Sequence, residues 1–186
     1  MVLLIKMKKY ILFAIGAVFL SSCTFYGITN DYDKLTEKER QRIYKLDKFN
    51  ETYAGNIYEL NAGLLKKELE KYPKSIVYVF TNGCSSSSCK PLSYYKTFAE
   101  SHDYKIFFVM NGYANLYKTL GQDTSLTFYS IDANYYKKRK RSKYTCYFEN
   151  ELVDLPVKTK RKEYLGSIFF FENGKFVKVC RELSDE

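Results

Sequence analysis

The apolar residues of this chain fall into short runs that alternate with amphipathic or charged segments. The runs "SIVYVF" at 75–80, "YKIFFVMN" at 104–111 and "TFYSID" at 127–132 are rich in β-branched and aromatic residues, which favours strands. Near the end, "GSIFFF" and "KFVKVC" flank Asn173-Gly174, the residue pair that a tight hairpin turn needs. The chain is therefore predicted to contain three central strands followed by an antiparallel hairpin.

Helices are predicted at 37–49, 62–72, 91–102, 114–120 and 135–152. Thr36 and Glu39 have the spacing of a capping box, and Asn61 can cap the second helix. Pro91 can occupy the first turn of the third helix, and the last segment contains no Gly or Pro. Strands that alternate with helices predict an α/β fold, with a central mixed sheet flanked by helices and ending in the hairpin.

The first 23 residues have the composition of an export signal. Lys6, Lys8 and Lys9 precede the apolar run "YILFAIGAVFL". That run has about half of the roughly 20 residues that cross a bilayer as a helix, so a permanent span is not expected.

The signal ends in "LSSC", which resembles the lipobox of bacterial lipoproteins. The resemblance implies a diacylglyceryl thioether on Cys23 and cleavage before it; the alternative is an ordinary signal peptide that leaves Cys23 as a free thiol. We expect a lipoprotein signal peptide at 1–22, a lipidated tether at 23–34 and one domain at 35–186. The protein would then be anchored to a bacterial membrane and face the periplasm or the cell exterior.

The charge of the chain favours anionic surfaces without identifying a ligand. Lysine and arginine number 30 against 21 acidic residues, and removal of the three signal lysines leaves a net charge of +6. The basic run at 137–141, continued at Lys143, is interpreted as a solvated helix face, because an exported protein rarely meets nucleic acid. We expect no nucleic-acid partner.

Several chemistries are not supported by the sequence. His102 is the single histidine and is expected at the surface or as a helix cap. One histidine and the cysteines do not give a zinc site of recognised spacing. The chain lacks a Walker-type glycine loop and a G-x-S-x-G elbow, so we expect no metal and no cofactor.

Four cysteines follow Cys23, namely Cys84, Cys89, Cys146 and Cys180, and an even set in an exported chain suggests disulfides. Closing the short loop between the first two would stabilise the fold by about 2 kcal/mol, and linking the last two by about 4 kcal/mol. Four cysteines allow three connectivities, so a structural disulfide between Cys146 and Cys180 is a hypothesis from the count alone. The weaker short bridge favours redox use.

Cys84 and Cys89 are separated by "SSSS" and followed by Lys90. A five-residue step along a helix advances roughly 7.5 Å, whereas bridged Cα atoms rarely lie beyond about 7 Å. If the two cysteines are bonded, Cys84 must lie in the loop before the helix. At the helix N-terminus its thiolate would be favoured by the helix dipole, and the serines could donate hydrogen bonds.

The strand "SIVYVFTNG", the two cysteines, a helix, two further strands and "GSIFFFENGKFVKV" together resemble the thioredoxin-like family, over roughly residues 57–182. The resemblance implies that Cys84 attacks a protein disulfide and that Cys89 resolves the mixed disulfide, without a cofactor. The family has a cis-proline facing its cysteines, and this chain has Gly166 at that position. The family also separates its cysteines by two residues, whereas this chain has four between them.

A second resemblance connects Thr81, Cys84 and Cys89 with peroxiredoxins whose resolving cysteine lies five residues on. Those enzymes carry a proline where this chain has Val77.

Two hypotheses of function remain open. The first is a membrane-anchored thiol-disulfide oxidoreductase that acts on protein thiols or disulfides in the cell envelope. The second is a non-catalytic thioredoxin-fold lipoprotein that binds an envelope partner and keeps its disulfides as structural bridges. Exposure of Cys84 would favour the enzyme, and Gly166 in place of proline favours the binding module.

Overall fold

The structure is a computed structural model and describes residues 26–84, 89–122, 125–160, 163–164 and 166–183. The predictions for the signal peptide, Cys23 and the serines at 85–88 lie outside the described residues. The strands are β1 Ile43–Lys45, β2 Ile57–Leu60, β3 Lys74–Phe80, β4 Lys105–Met110, β5 Phe128–Ile131, β6 Ile168–Glu172 and β7 Lys175–Cys180. The helices are α1 Glu37–Arg40, α2 Ala62–Leu69, α3 Leu92–Ser101, α4 Leu116–Leu120 and α5 Arg141–Leu152.

The seven strands form one mixed sheet in the order β1-β2-β5-β4-β3-β6-β7. Neighbours from β1 to β3 are parallel, whereas β6 is antiparallel to β3 and β7 is antiparallel to β6. The predicted α/β fold with a mixed sheet and a terminal antiparallel hairpin is confirmed. β3 is the strand at which the parallel part of the sheet meets the hairpin.

Helices cover both faces of this sheet. α2 and α5 pack on one face through a buried set of Leu65, Leu69, Tyr144, Phe148 and Leu152. α3 and α4 pack on the other face through Leu92, Tyr95, Ala99 and Leu116. Successive side chains of β3 point to opposite faces, so Val77 belongs to the first cluster and Ile76 to the second. This two-sided burial explains why the run at 76–80 is continuously apolar or aromatic.

Local signals at several element ends are confirmed. Asn61 caps α2, and its side chain accepts a hydrogen bond of 2.8 Å from the Leu64 N–H. The hairpin turns at Asn173 and Gly174, which have φ of 48° and 75°. Positive φ at both positions is what the Asn-Gly pair supplies at low cost. Pro91 is the N-cap residue of α3, one position before the predicted first turn.

The prediction of a single helix at 37–49 is wrong beyond Arg40. The capping box forms, because the Thr36 hydroxyl accepts from the Glu39 N–H and the Glu39 carboxylate accepts from the Thr36 N–H at 2.9 Å. α1 nevertheless ends after one turn, and Ile43 begins β1 at the edge of the sheet. A short charged segment has too little apolar surface to stabilise a helix, whereas a charged edge strand discourages further pairing.

The prediction of one helix at 135–152 is wrong in its first part. The Asp132 carboxylate accepts hydrogen bonds from the backbone N–H groups of Asn134 at 2.9 Å and Tyr135 at 3.0 Å. Lys137 has a left-handed φ of 52°, which a helix does not allow. The side chain of Asp132 therefore fixes a turn after β5, and α5 begins only after it.

The described part of the predicted tether, residues 26–34, lies against the domain. The Ile28 carbonyl accepts from the Arg141 N–H at 2.8 Å, and the Asn30 carbonyl accepts from the Tyr113 N–H at 2.7 Å. Asp31 is buried and accepts from the Gly27 N–H at 2.6 Å. The bonds of Ile28 and Asn30 attach the segment to the start of α5 and to the loop after β4, and the bond between Gly27 and Asp31 closes the segment on itself.

Gly166, predicted at the position of the family's cis-proline, precedes β6 and lies beside the end of β7. It has φ of 147°, and a Cβ atom there would overlap the carbonyl oxygen of Cys180. The Cys180 carbonyl accepts from the Ser167 N–H at 3.0 Å. Glycine is required because the backbone approaches its neighbour closely and because φ lies in the region that L-residues avoid. The described residues contain no cis peptide bond.

We predict that Gly166→Ala destabilises the fold by about 2 kcal/mol or more, since backbone strain alone costs about 1–3 kcal/mol. Urea unfolding followed by circular dichroism measures the change. Gly63→Ala is the matched control, because Gly63 lies in α2 and a Cβ there meets only side chains. An unfolding free energy for Gly166→Ala within about 0.5 kcal/mol of the original protein would contradict this account of the position.

Candidate functional site

The predicted cysteine pair is bonded in the structure. Cys84 and Cys89 form a disulfide with Cα atoms 6.0 Å apart, and Cys84 lies in neither a helix nor a strand. The prediction that a bonded Cys84 precedes the helix is confirmed. The first residue of α3 is Leu92, however, so Cys89 rather than Cys84 is nearer in sequence to the helix N-terminus. The prediction that Cys84 stands at the helix N-terminus, where the helix dipole would favour its thiolate, is therefore wrong.

The two sulfur-bearing residues differ in exposure. Cys84 is exposed, whereas Cys89 is half-buried. An incoming thiolate attacks along the sulfur–sulfur axis and needs open access to one of the two sulfurs. The structure offers that access at Cys84, the residue to which the thioredoxin-like resemblance gives the attacking role.

A buried hydrogen-bond network anchors the segment between β3 and Cys84. Asn82 is 2% exposed, donates to the Gly112 carbonyl at 2.7 Å and accepts from the Thr119 hydroxyl at 2.7 Å. Buried amide groups are costly unless paired, so these bonds tie the loop to α4 and to the loop after β4. Gly83, between Asn82 and Cys84, has φ of 63° and closes the turn. Asn82 was not among the predicted site residues, although a polar residue two positions after a buried strand was the available signal.

Thr81, which carries part of the peroxiredoxin resemblance, forms a side-chain hydrogen bond with a neighbouring strand end. Its hydroxyl accepts from the Asn111 side-chain amide at 2.9 Å. Asn111 follows β4, so Thr81 joins the ends of two neighbouring parallel strands. Its side-chain hydrogen bond thus has a structural role.

The disulfide opens onto a groove of about 1210 Å³. The walls comprise the end of β3, the first two turns of α5, residues 158–160, Glu163, Tyr164 and Ser167. Gly27 and Ile28 of the N-terminal segment complete it. Ser167 directly follows Gly166, so the site faces the loop before β6, where the family has its proline. Burial raises the pKa of Tyr78, another lining residue, well above its usual range, and the hydrogen bond with Tyr95 adds to this. Tyr78 therefore contributes a neutral ring and hydroxyl.

The predicted disulfide between Cys146 and Cys180 is absent, since both residues are free and half-buried. Cys146 lies on α5 and lines the groove, with its sulfur 3.7 Å from the Asn150 side-chain amide. Cys180 packs against the cluster on the opposite face of the sheet. The number of cysteines could not show that these two thiols are free, because it is the sheet between them that keeps them apart. Cys146 shares the groove with the Cys84–Cys89 disulfide, which sequence reasoning had not brought together.

The remaining predictions concern His102, the basic run, metal sites and membrane-crossing helices. His102 is exposed at the end of α3, with ring Nδ1 2.9 Å from the Phe98 carbonyl oxygen, which fits the predicted surface or capping role. The lysines and arginine at 137–140 are exposed. Within the described ranges, no three His, Cys, Asp or Glu residues gather into a possible metal site. No helix in those ranges combines the length and apolar character that crossing a membrane requires.

A second cavity, of about 630 Å³, contains a half-buried carboxylate at the ends of the parallel strands. The Tyr113 hydroxyl donates to Glu59 at 2.8 Å and lies 2.8 Å from the Ser130 hydroxyl. Burial raises the pKa of Glu59, as does the nearby charge of Asp132, while the Tyr113 hydrogen bond and Lys45 oppose the shift. The net effect is that ionisation of Glu59 disfavours the folded state.

Comparisons with protein-family models, with curated proteins and with solved structures found no match to this chain.

We predict that Glu59→Gln stabilises the protein at neutral pH. A carboxyl whose folded pKa is raised contributes stability below its unfolded value of about 4.3, and that contribution is lost as the pH rises through the folded value. Glutamine keeps an acceptor for Tyr113 without the charge, so the gain should be present at pH 7 and vanish near pH 4.

Urea unfolding at both pH values measures this difference. Glu100→Gln, at an exposed position of α3, is the control and should change the unfolding free energy by less than about 0.5 kcal/mol at either pH. A Glu59→Gln protein that is less stable than the original at pH 7 would refute the sign of the effect.

Proposed function

We propose that this protein is a thioredoxin-like thiol-disulfide oxidoreductase, anchored through Cys23 to a bacterial membrane and facing outward. Its substrates are protein thiols or disulfides of the cell envelope. Cys84 is the exchanging residue and Cys89 the resolving one. The observation that carries the proposal is the exposure of Cys84, in a disulfide that opens onto a large groove.

The order of the elements supports the thioredoxin-like assignment. The cysteines follow β3, a strand buried on both faces, and the antiparallel hairpin β6–β7 extends the sheet from β3. The residues before β6 line the same groove as the cysteines, which is the relation that the family has between its proline loop and its active site. The site thus combines an accessible sulfur with a surface that could hold a client chain.

In the reducing direction, the Cys84 thiolate attacks one sulfur of a client disulfide. The client bond breaks, a mixed disulfide forms and one client thiolate leaves. The Cys89 thiolate then attacks Cys84, which restores the Cys84–Cys89 disulfide and releases the second client thiolate, and both client thiolates take up protons. Two electrons pass from the protein to the client. The reverse sequence oxidises a client dithiol, and a second dithiol or disulfide protein returns the pair to its starting state.

Attachment to the membrane rests on the "LSSC" sequence alone. A lipid on Cys23 would hold the domain close to the bilayer, since Gly27 and Ile28 already contact the domain at Arg141. The groove includes both of these residues, so the site would operate near the membrane surface.

The second candidate is a thioredoxin-fold lipoprotein without catalysis, which binds an envelope partner. Gly166 favours it, because the close contact with Cys180 leaves no space for a proline ring. In this case the groove would hold a partner and the disulfide would stabilise its wall by about 2 kcal/mol.

The reduction potential of the Cys84–Cys89 pair decides between the two candidates. We expect a value between about −120 and −270 mV, the range of exchanging oxidoreductases. The protein is equilibrated with thiol buffers, alkylated and mapped by peptide mass. Cys146 and Cys180 should be alkylated without any reductant, which provides an internal reference for free thiols. A value below about −300 mV would identify a structural bridge and favour the binding module.

We predict that Cys84→Ser abolishes reduction of insulin by the dithiol-driven protein, whereas Cys89→Ala accumulates mixed disulfides with clients. Cys180→Ser is the matched control, because it removes a free thiol outside the groove and should leave the rate unchanged. Full insulin reduction by Cys84→Ser would refute the mechanism.

A further inference from the structure

Positive charge predominates along the groove that carries the disulfide. The cationic lining residues are Lys140, Arg141, Lys143, Lys158 and Lys160. Glu149 and Glu163 line the same groove, so its described lining residues carry an excess of three positive charges. Three of the cations come from the start of α5, where the positive end of the helix dipole has the same sign.

These cations are accessible to a ligand. The four lysines are exposed, and the ion pairs found between described residues involve other lysines, namely Lys34, Lys48, Lys66 and Lys71. A concave surface lined by charge of one sign focuses the electric field, which attracts oppositely charged partners and raises their association rates. The groove therefore favours an anionic occupant.

The size and the other lining residues indicate the class of that occupant. The volume of about 1210 Å³ exceeds the roughly 300–1,000 Å³ of a small-molecule pocket. Ile28, Phe80, Tyr147 and Tyr164 add apolar and aromatic surface beside the cations. Aromatic rings next to charges suit side chains and backbone of a polypeptide. The exposed Cys84 lines the same groove, so a client polypeptide bound there would bring its own cysteine close to Cys84.

From this geometry we propose that the groove selects acidic polypeptide segments as clients for exchange at Cys84. The inference rests on the proposed function for its redox step, whereas the binding step does not depend on it. Glu- and Asp-rich segments beside a client cysteine would bind the lysines, and Lys- or Arg-rich segments would be repelled.

The first test measures binding without redox chemistry. Fluorescent cysteine-free peptides of equal length, one rich in Glu and one rich in Lys, are titrated into the oxidised full chain in nonionic micelles. We expect the acidic peptide to bind at least about tenfold more tightly in dilute buffer, and the difference to disappear near 1 M salt, where screening acts within about 3 Å. Equal affinities in dilute buffer would overturn the proposal.

The second test separates this inference from the proposed function. The reduced protein reacts with a neutral small disulfide, bis(2-hydroxyethyl) disulfide, and with acidic and basic peptides that carry one disulfide each. Faster exchange with the acidic peptide supports both proposals. Exchange with the neutral disulfide at a normal rate, without any preference between the peptides, overturns only the acidic specificity. Preferred binding of the acidic peptide without exchange overturns the redox function and retains the acidic groove.

Charge-reversal variants locate the effect. Lys158→Glu combined with Lys160→Glu should remove the preference, while Lys67→Glu combined with Lys175→Glu changes the net charge equally at exposed positions outside the groove and should retain it. Equal losses in the two double variants would attribute the preference to net charge and overturn the proposal. Loss of peptide binding when anionic but not zwitterionic phospholipid is added to the micelles would show that the groove faces lipid, which would also overturn it.

Discussion

The structure depends on the pairing of β3 along both of its edges and on the burial of both of its faces. β4 pairs with it in parallel and β6 antiparallel, while α2 and α5 cover one face and α3 and α4 the other. Because both edges and both faces of β3 are covered, only its ends are free to contact loops and a site. Its carboxyl end meets the loop after β4 and the loop before β6, and Cys84 comes four residues after Phe80, the last residue of the strand. The position of the disulfide is thus a consequence of the sheet.

The sequence predicted those elements whose stability comes from their own pattern. The residues at 76–80 are all apolar or aromatic and all buried, and Asn173-Gly174 has a local turn preference that needs no partner. The segments at 37–49 and 135–140 differ, because tertiary contacts decide them. Ile43 gains a place in the sheet through β2, and a single carboxylate at Asp132 outweighs the helical preference of the following residues. Neither contact produces a periodic pattern of apolar residues in the sequence.

The candidate site was predictable only in part, for a related reason. The spacing of Cys84 and Cys89 allowed a short loop, and the disulfide has the Cα distance that such a loop permits. The groove instead combines Ile28, Arg141, Lys158 and Ser167, which are far apart in the chain and show no shared motif. The sequence also could not show that Cys146 and Cys180 lie on opposite faces of the sheet, because their side of the sheet is decided by the fold. Polar residues at strand ends, such as Asn82, were the signal that could have been used.

The absence of a bridge between Cys146 and Cys180 changes the argument from stability. With both bridges, the long one would have contributed about 4 kcal/mol and made the short one redundant as a staple. With the short bridge alone, about 2 kcal/mol is a considerable part of the 5–15 kcal/mol that typically stabilises a domain. This stabilisation is large enough for a structural role as well. The accessibility of the cysteines must therefore distinguish a structural disulfide from an exchanging one. A structural bridge gains nothing from an exposed sulfur at the edge of a charged groove, whereas an exchanging one requires it. Gly166 is compatible with exchange in this respect, because its tight contact with Cys180 holds Ser167 at the wall of the groove without a proline ring.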